Sequence, residues 1–311
     1  MEFANKVDTL YIVEELEPVI EEQVSAMGIK VKGKELFGKQ GEITVTQIRE
    51  KIGGQTISVE KSKELPVRPP VLCPGCPHRG LFSVISKLKY RVMGDIGCYT
   101  LGAFAPQHAM DTCICMGASV GMSHGFEKAR GKEAMKNTLA LIGDSTFIHS
   151  GITGLINVVY NQGISTIIIA DNGTTGMTGH QNHPGTGRTL KNEQTVSIDI
   201  EALCKAIGIR QVVTVNPYDM KSLEKIVQEE IKREEPSVII TKAPCKLLIK
   251  EKWETYKVDE TNCSNCGICS KLGCPAILKN EKHTLINNAL CSGCGLCESV
   301  CLKKAVKRGR E

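Results

Sequence analysis

Short apolar runs alternate with segments of helical spacing along residues 71–249, and this alternation predicts the secondary structure of the stretch. Four short apolar runs have the length and β-branched content of buried strands. They are residues 138–142, 166–170, 212–215 and 237–241. Helical spacing marks residues 147–160, 198–207 and 220–232. Because strands and helices alternate, we predict an α/β fold whose parallel sheet carries helices on both faces.

The N-terminal residues predict a short βαβ segment, with a buried strand at 9–14, a helix at 15–27 and a further strand at 29–31. About sixty residues are too few to bury a core of their own, so we interpret them as the end of a preceding domain. Residues 61–70 are charged and then proline-rich, as in a linker. The predicted parts are residues 1–65, including the linker, residues 66–250 and residues 251–311.

Cysteine is the main departure from an ordinary globular composition, with 15 cysteines among 311 residues. A chain of this length can bury a full core without disulfides, and no signal peptide opens the sequence. Its apolar runs are too short to span a bilayer. We therefore predict a cytoplasmic protein, outside the membrane, whose cysteines bind metal or carry out redox chemistry.

The charge pattern argues against nucleic acid as a partner. The net charge is +5, and basic residues are concentrated at the C-terminus. They are Lys303, Lys304, Lys307, Arg308 and Arg310. A nucleic-acid interface would combine a basic face with stacking aromatics, yet aromatics make up 4% of the chain. The basic end is interpreted as a solvated tail or as a docking surface for an acidic protein.

Eight cysteines form two runs near the C-terminus, and the first three cysteines of each run are separated by two residues. Three thiolates at this spacing wrap three corners of a cubane, and the fourth cysteine of each run binds the other cluster. The first predicted [4Fe–4S] cluster has the ligands Cys263, Cys266, Cys269 and Cys301. The second has the ligands Cys274, Cys291, Cys294 and Cys297. These residues resemble the bacterial two-cluster ferredoxins.

Zinc is the alternative ligand for these cysteines, because zinc sites also use CxxC pairs. Zinc sites seldom repeat three cysteines at this spacing twice, so we favour iron–sulfur clusters. The gap between Cys269 and Cys274 is one residue longer than in the bacterial pattern, and Leu302 stands where a second proline is common. We interpret both differences as variation within the motif.

Polar turns follow two neighbouring predicted strands, at Gly143-Asp144-Ser145 and at Asn172, which lies 28 residues after Asp144. They resemble the thiamine diphosphate fingerprint, whose usual form is Gly-Asp-Gly followed by Asn-Asn. Mg²⁺ takes oxygen ligands and bridges to phosphates. The resemblance implies that Asp144 and Asn172 bind Mg²⁺ through their side chains and Thr174 through its carbonyl oxygen. The diphosphate would then lie at the N-terminus of the following helix.

An ordinary pair of turns is the alternative, since turns favour Gly, Asp and Asn in any protein. The polar, glycine-bearing loop at 173–181 favours a phosphate or substrate cradle instead. Gly117, Gly121 and Gly125 share one face of a predicted helix, which suits close packing against a second helix.

Four more cysteines are spread between the predicted elements. They are Cys73, Cys76, Cys98 and Cys245. This arrangement resembles the thiamine-binding part of 2-oxoacid:ferredoxin oxidoreductases, which often has a CxxC pair, a third cysteine and a fourth far beyond the magnesium ligand. The resemblance implies a third [4Fe–4S] cluster near the thiamine, and buried thiols are the alternative. Cys113, Cys115 and Cys204 are interpreted as packing residues, with a redox role left open for the first two.

Three histidines flank these motifs. His78 directly follows the first CxxC pair and a proline, and His180 and His183 lie beyond the predicted magnesium ligands. We predict His78 and His180 as candidate catalytic residues. A neutral imidazole that satisfies a backbone group is the alternative for each. His149, one turn into a predicted helix, is interpreted as structural.

Nearly the whole chain resembles the α subunit of the indolepyruvate:ferredoxin oxidoreductases. The similar segments are CPGCPHR, GDIGCYTLG, MDTCICMGASVGMSHG, GDSTFIHSGI, DNGTTGMTGHQ and the two cysteine runs. The resemblance implies an α/β, parallel-sheet, thiamine diphosphate-binding fold at 66–250 and a small bacterial-type ferredoxin domain at 251–311. That family's subunit begins with a pyrimidine-binding domain, which we do not find here, so we expect the second half of a split or truncated subunit.

The resemblance also implies a function, namely oxidative decarboxylation of aryl pyruvates such as indolepyruvate to aryl-acetyl-CoA and CO₂. The implied cofactors are thiamine diphosphate, Mg²⁺ and the [4Fe–4S] clusters, with coenzyme A as co-substrate. The implied partners are a β subunit, a chain that supplies the pyrimidine-binding domain, and ferredoxin. Met177 occupies the position of an Asn in pyruvate-specific relatives, and its apolar side chain suits a bulkier substrate. The predicted cofactor-binding residues are Gly143, Asp144, Ser145, Asn172, Thr174 and Met177.

Two other functions remain open. The chain could be an electron-transfer subunit with a vestigial thiamine site, because the glutamate that activates thiamine in the family is absent. It could also act on another 2-oxoacid. A thiamine decarboxylase without redox chemistry is disfavoured by the number of cysteines at cluster spacing.

Overall fold

A computed structural model describes residues 2–56, 66–251 and 253–309. The chain divides into two compact units, Met1–Arg68 and Pro69–Glu311. Residues 61–65 of the predicted linker lie outside the described residues, and the predicted three-part division stays a prediction. Within the described ranges, no helix has both the length and the apolar character needed to cross a membrane.

The described residues of the first unit form three short α-helices and little regular strand pairing. The helices are α1 (Val19–Ala26), α2 (Lys34–Phe37) and α3 (Val45–Lys51). The predicted buried strand at 9–14 is wrong, because this stretch forms one isolated parallel bridge, Tyr11 to Lys32, and none of its residues is buried. The predicted helix at 15–27 is shorter because Leu16 has a left-handed φ of 57°. Among the unit's described residues only Gly33 is buried, as expected for so short a segment.

The second unit is built on a five-stranded parallel sheet with the strand order β1-β2-β3-β5-β4. Its strands are β1 (Arg91–Met93), β2 (Thr138–Gly143), β3 (Thr166–Asp171), β4 (Gln211–Val215) and β5 (Ser237–Lys242). The prediction of a parallel α/β sheet is confirmed. The sequence pattern missed β1, which has three residues and too little apolar content to mark a strand.

Helices cover both faces of this sheet, as the alternation predicts. They are α4 (His78–Leu88), α5 (Ala118–Arg130), α6 (Asp144–Thr146), α7 (Ile152–Tyr160), α8 (Ile200–Ile207) and α9 (Met220–Glu230). A π-helical turn, Phe147–Gly151, joins α6 to α7, so one helical segment begins directly after β2. Side chains of α4 and α9 pack in one apolar cluster, and those of α5, α7 and α8 pack in another.

Successive residues of β2 point to opposite faces of the sheet and so supply both clusters. Leu139 and Leu141 belong to the cluster with α4 and α9, and Ala140 and Ile142 belong to the cluster with α5, α7 and α8. All of these side chains are completely buried, and full burial of each large one stabilises the fold by about 1.5–3 kcal/mol. The buried sheet therefore fixes the loops that leave the carboxyl ends of β2 and β3.

Glycines of α5 meet the packing prediction only in part. Gly117 lies at the N-cap with a φ of +89°, and a Cβ there would overlap the Ser150 side chain. Among the described residues, nothing lies within 4 Å of where a Cβ would stand at Gly121 or Gly125. The predicted role in close helix packing is therefore wrong for these two glycines.

Residues 253–309 form small antiparallel pairs beside the parallel sheet. The strand β6 (Tyr256–Val258) pairs with β9 (Val306–Arg308), and β7 (Ile277–Lys279) pairs with β8 (Thr284–Ile286). The helix α10 (Leu296–Ser299) lies between β8 and β9 in sequence. A small apolar cluster, which includes Tyr256, Leu272 and Leu296, also contacts Tyr218 and Met220. This segment therefore packs directly on the part of the chain that carries α9.

Candidate functional site

The carboxyl ends of β2 and β3 bring the two predicted polar turns together. Gly143 and Ala170 are paired in the parallel register, so the turns begin side by side. Asp144 is buried, and its Oδ2 accepts a hydrogen bond of 2.9 Å from the backbone N–H of Gly173. The hydroxyls of Ser145 and Thr175 are 2.8 Å apart. The two loops are thus joined at two points.

A cavity of about 110 Å³ opens between these loops. All six predicted cofactor-binding residues line it, namely Gly143, Asp144, Ser145, Asn172, Thr174 and Met177. Gly143 must lack a side chain here, because a Cβ would lie 2.5 Å from the Tyr99 ring. The structure therefore gathers the predicted residues around one space, and their role in binding stays a prediction.

The donor chemistry of the cavity fits a hard cation that is bridged to phosphate. Asp144 supplies a carboxylate, and Asn172 supplies an amide oxygen, which accepts a 3.1 Å hydrogen bond from the N–H of Thr174. Oxygen donors of this kind are the ones Mg²⁺ takes in proteins. Across the described residues, no three His, Cys, Asp or Glu side chains are grouped in a geometry that could hold a metal ion. Of the three predicted magnesium ligands, only Asp144 is a His, Cys, Asp or Glu residue. The magnesium assignment therefore rests on the oxygen atoms that the two loops offer.

Asp171 adds a second carboxyl beside Asp144 at the end of β3. Burial raises the pKa of Asp171, and the neighbouring Asp144 raises it further, while Lys242 opposes both effects. The ammonium of Lys242 lies 3.6 Å from the Asp171 carboxylate. The side chain of Asp171 lines a separate cavity together with Lys242, and its Oδ1 accepts a 3.1 Å hydrogen bond from the same Gly173 N–H that donates to Asp144.

His78 lies behind the predicted magnesium ligand Asn172. Its imidazole is buried at the start of α4, and its Nε2 lies 3.2 Å from Nδ2 of Asn172. The amide nitrogen can only donate, so Nε2 is the acceptor and the proton of the neutral ring lies on Nδ1. Burial lowers the pKa of His78 to about 4, against the opposing charge of Asp144. His78 is thus neutral near pH 7 and oriented to hold Asn172.

The two other histidines of the motif loops lie at different depths. His180 has a left-handed φ of 65°, and its Nε2 lies 3.7 Å from the Sγ of Cys245. His183 is buried with its Nε2 3.2 Å from Oδ2 of Asp144, and its Nδ1 accepts the N–H of Gly185. Neither His78 nor His180 is among the described residues that line the cavity.

Asp95 is a site residue that the sequence reasoning missed. It is completely buried, and its carboxylate accepts hydrogen bonds from the N–H groups of Ile96, Gly117 and Ser119. These contacts fix the Ile96–Gly97 wall of the cavity and the start of α5. A sequence signal exists, because Gly94-Asp95 lies at the end of a strand as Gly143-Asp144 does. The strand in question, β1, is too short to be predicted from its apolar pattern.

The four dispersed cysteines lie close enough to one another to influence the pKa values of their thiols. Burial raises the pKa of Cys98, and the charges of Cys245 and Cys73 raise it further. Burial raises the pKa of Cys76 to about 12, with smaller contributions of the same sign from Cys73 and Cys98. Cys98 also lines the cavity between the two polar loops. The four thiols therefore lie within electrostatic reach of one another, and their binding of a shared cluster stays a prediction.

The eight C-terminal cysteines sort into two groups of four around two separate cavities. One cavity is lined by Cys263, Cys266, Cys269 and Cys301. The other is lined by Cys274, Cys291, Cys294 and Cys297. The grouping is the one that the spacing predicts, with the last cysteine of each run beside the three of the other. Backbone N–H groups approach two of the sulfurs, from Tyr256 to Cys291 at 3.4 Å and from Ala305 to Cys301 at 3.2 Å.

Comparisons with known proteins agree with this architecture. The family described as "Thiamine pyrophosphate enzyme, C-terminal TPP binding domain" matches residues 95–241, which include both polar loops. The indolepyruvate oxidoreductase subunit IorA of Archaeoglobus fulgidus is 35% identical, and the match covers 98% of this chain and 53% of that protein. The same subunit of Thermococcus kodakarensis is 38% identical, with 88% of this chain and 48% of that protein covered. The chain thus spans about half the length of these relatives.

A solved structure, the 2-oxoglutarate:ferredoxin oxidoreductase from Magnetococcus marinus with 2-oxoglutarate, coenzyme A and succinyl-CoA bound, is similar to 59% of this chain. It is 17% identical, 66% of it is covered, and the TM-score is 0.48. Fold and loops together define a thiamine pyrophosphate-binding domain of the thiamine pyrophosphate enzymes. Within that class, the chain is similar to the indolepyruvate oxidoreductase subunit IorA over about half of that subunit's length.

Proposed function

We propose that this chain binds thiamine diphosphate and Mg²⁺ between the loops after β2 and β3, as part of a 2-oxoacid:ferredoxin oxidoreductase that acts on aryl pyruvates. The observation that carries the proposal is the cavity at the carboxyl ends of these strands, around which all six predicted cofactor-binding residues converge. The similarity to the indolepyruvate oxidoreductase subunits and to the thiamine pyrophosphate-binding family supports the same class of chemistry.

The residues of the chain have separate tasks in this proposal. Asp144, Asn172 and the carbonyl of Thr174 would hold Mg²⁺ against the diphosphate, and the helical segment that begins at Asp144 would direct free backbone N–H groups towards it. His78 keeps the Asn172 amide in one orientation through their 3.2 Å contact. When bound, thiamine diphosphate supplies the carbanion chemistry that removes CO₂ from a 2-oxoacid.

Electron transfer is proposed to use three [4Fe–4S] clusters. Cys98 lines the cofactor cavity, so the group of Cys73, Cys76, Cys98 and Cys245 would receive electrons first. The two cysteine-lined cavities of residues 253–309 would hold the clusters that pass the electrons to ferredoxin. The balanced reaction takes an aryl pyruvate, coenzyme A and two oxidised ferredoxins to aryl-acetyl-CoA, CO₂, a proton and two reduced ferredoxins.

Substrate choice and partners belong to the same proposal. Met177 lines the cavity and is half-exposed, so an apolar aryl group could contact it. Indolepyruvate is therefore our proposed substrate among the 2-oxoacids. We further propose that the chain works with a β subunit and with a chain that supplies a pyrimidine-binding domain.

The test is reconstitution under anaerobic conditions. The full chain, loaded with iron, sulfide, thiamine diphosphate and Mg²⁺, is combined with these partner chains, and ferredoxin reduction is followed with indolepyruvate and coenzyme A. Pyruvate and 2-oxoglutarate are the comparison substrates. We expect indolepyruvate to give the highest kcat/KM. Clusters that accept electrons from dithionite, without activity on any 2-oxoacid, would instead identify an electron-transfer subunit with a vestigial thiamine site.

A further inference from the structure

Arg79 is a buried cation near the start of α4, and its charge has no acidic partner in the described ranges. The side chain is 1% exposed. Its Nη1 donates to the carbonyl of Leu272 at 2.6 Å, and its Nη2 donates to the carbonyls of Leu72 and Cys73. These acceptors are neutral. Across the described residues the buried Nε has no acceptor at all.

An unpaired guanidinium in the interior is strongly unfavourable, because an ion loses its hydration there and carbonyl oxygens replace only part of it. Arginine cannot lose its proton to escape this cost. A fold therefore retains such a residue where a negative charge faces it. The identity of that charge follows from what surrounds Arg79.

Arg79 lines the cavity that is bounded by Cys274, Cys291, Cys294 and Cys297. The carbonyl of Leu272, which accepts from Arg79, lies two residues before the first of these cysteines. Four thiolates and a [4Fe–4S] core carry a net negative charge, and reduction adds one more electron. A cation on the wall of this cavity is placed to balance that charge.

Lys246 is a second cation near the group of Cys274, Cys291, Cys294 and Cys297. Its Nζ is buried without a hydrogen-bond acceptor among the described residues, 3.3 Å from the centre of the Trp253 ring. Its Cγ and the Ser292 side chain both lie within 3.2 Å of where a Cβ would stand at Gly75, so Lys246 lies beside the residue that follows Cys291. Burial lowers the pKa of Lys246, and the charges of Cys294 and Glu251 oppose this shift. The cavity of Cys263, Cys266, Cys269 and Cys301 differs, because the basic residue that lines it, Lys303, is exposed to water, which screens its charge.

We propose that Arg79 and Lys246 are the counter-charges of the cluster held by Cys274, Cys291, Cys294 and Cys297, and that they make this cluster easier to reduce than its neighbour. Both act as positioning residues of the electron path, since they stabilise the reduced form electrostatically without ligating iron. The inference rests on the proposed function, because it requires that these cysteines hold an iron–sulfur cluster.

The experiment is a redox titration of the anaerobically loaded full chain, followed by electron paramagnetic resonance, with iron content measured for every variant. In Arg79→Met and in Lys246→Met we expect the cluster of Cys274, Cys291, Cys294 and Cys297 to shift to a lower midpoint potential, while the cluster of Cys263, Cys266, Cys269 and Cys301 stays unchanged. At the wild-type midpoint of the shifted cluster, its ratio of reduced to oxidised form should fall by roughly tenfold or more for Arg79→Met. Arg79→Lys should keep most of the wild-type potential.

Gln107→Met is the matched neutral control, because the Gln107 amide donates to the same Leu272 carbonyl at 2.7 Å. We expect it to leave all potentials unchanged. Lys246→Met covers the case in which Arg79→Met fails to fold, since the Lys246 ammonium makes no hydrogen bond in the described structure. If both methionine variants have full iron content and unchanged midpoint potentials, this inference is overturned while the proposed clusters stand. A wild-type chain that binds no iron at these cysteines would overturn the proposed clusters and this inference together.

Discussion

The backbone N–H of Gly173 donates a 2.9 Å hydrogen bond to Oδ2 of Asp144 and so ties the loop after β3 to the loop after β2. Both loops leave the sheet from fully buried strand residues, with Ile142 opposite Ile169 in the register. The carboxylate is therefore held in place by the protein alone. A site that is already oriented in this way binds its ligand with less ordering of the loops.

Asp144→Asn is expected to weaken the binding of thiamine diphosphate in the presence of Mg²⁺ by at least about tenfold, because it removes the anionic donor and keeps the shape of the side chain. Isothermal titration of the full chain with thiamine diphosphate at fixed Mg²⁺ measures the effect. Asp219→Asn is the matched control, since Asp219 caps α9 through a bond that Asn can also accept and is not among the described residues that line the cavity. Equal loss of affinity in both variants would contradict the assignment of Asp144.

Cys73→Ser is expected to remove one cluster and leave the other two. Iron content should fall from about twelve atoms per chain to about eight, since each [4Fe–4S] cluster has four irons. Cys204→Ser is the control, because Cys204 is buried in the apolar cluster with α8, away from the three cysteine groups. An iron content of about eight in the wild-type chain would mean that the dispersed cysteines are ordinary thiols.

Strong periodicity explains why most of the second unit could be predicted from sequence. The observed ends of the four predicted strands lie within one residue of the predicted ones. Three of these strands, β2, β3 and β5, are almost entirely buried, whereas β4 buries only Val215. The strand β1 and its Asp95 escaped because the strand has three residues. The prediction for the first unit was wrong for a different reason. Its apolar residues follow a local pattern, but its described residues provide no apolar surface against which they could be buried.

The site residues follow the same division. The groups of Cys263 and of Cys274 could be predicted because thiolate spacing reflects the geometry of a cubane. The burial of the His78 ring could not be predicted, because its contact with Asn172 joins residues that are 94 positions apart in sequence. The burial of the Arg79 guanidinium without an acidic partner could not be predicted from sequence either. It depends on the way residues 272–297 pack over α4.

The buried imidazole of His78 predicts a loss of stability in acid. Its pKa falls from 6.5 in the unfolded chain to about 4 in the folded one. Between these values the unfolded state binds more protons, so the free energy of unfolding decreases as pH falls from 6.5 towards 4. The contribution is about 3 kcal/mol in total and about 2 kcal/mol by pH 5.

Comparison of wild type with His78→Gln isolates this contribution. The difference in their unfolding free energies should shrink by about 2 kcal/mol between pH 7 and pH 5, because only the wild type must keep a neutral imidazole buried. Urea unfolding followed by Trp253 fluorescence measures it. His149→Gln, an exposed histidine in the helical segment after β2, should show no such narrowing. A constant difference across this pH range would mean that His78 is not the titrating group.

Met177→Asn is expected to shift substrate preference from aryl pyruvates towards pyruvate in the reconstituted enzyme. The Met177 side chain lines the cofactor cavity and is 46% exposed, so it can contact a substrate group that extends beyond the thiamine. Replacing that apolar contact with an amide removes about 1–3 kcal/mol of transition-state binding for an aryl group, a factor of roughly 10 to 200. The ratio of kcat/KM for indolepyruvate to that for pyruvate should therefore fall within this range. Met177→Leu keeps the apolar contact and should retain the wild-type ratio, whereas equal changes in kcat/KM for both substrates in the Asn variant would show that Met177 does not contact the aryl group.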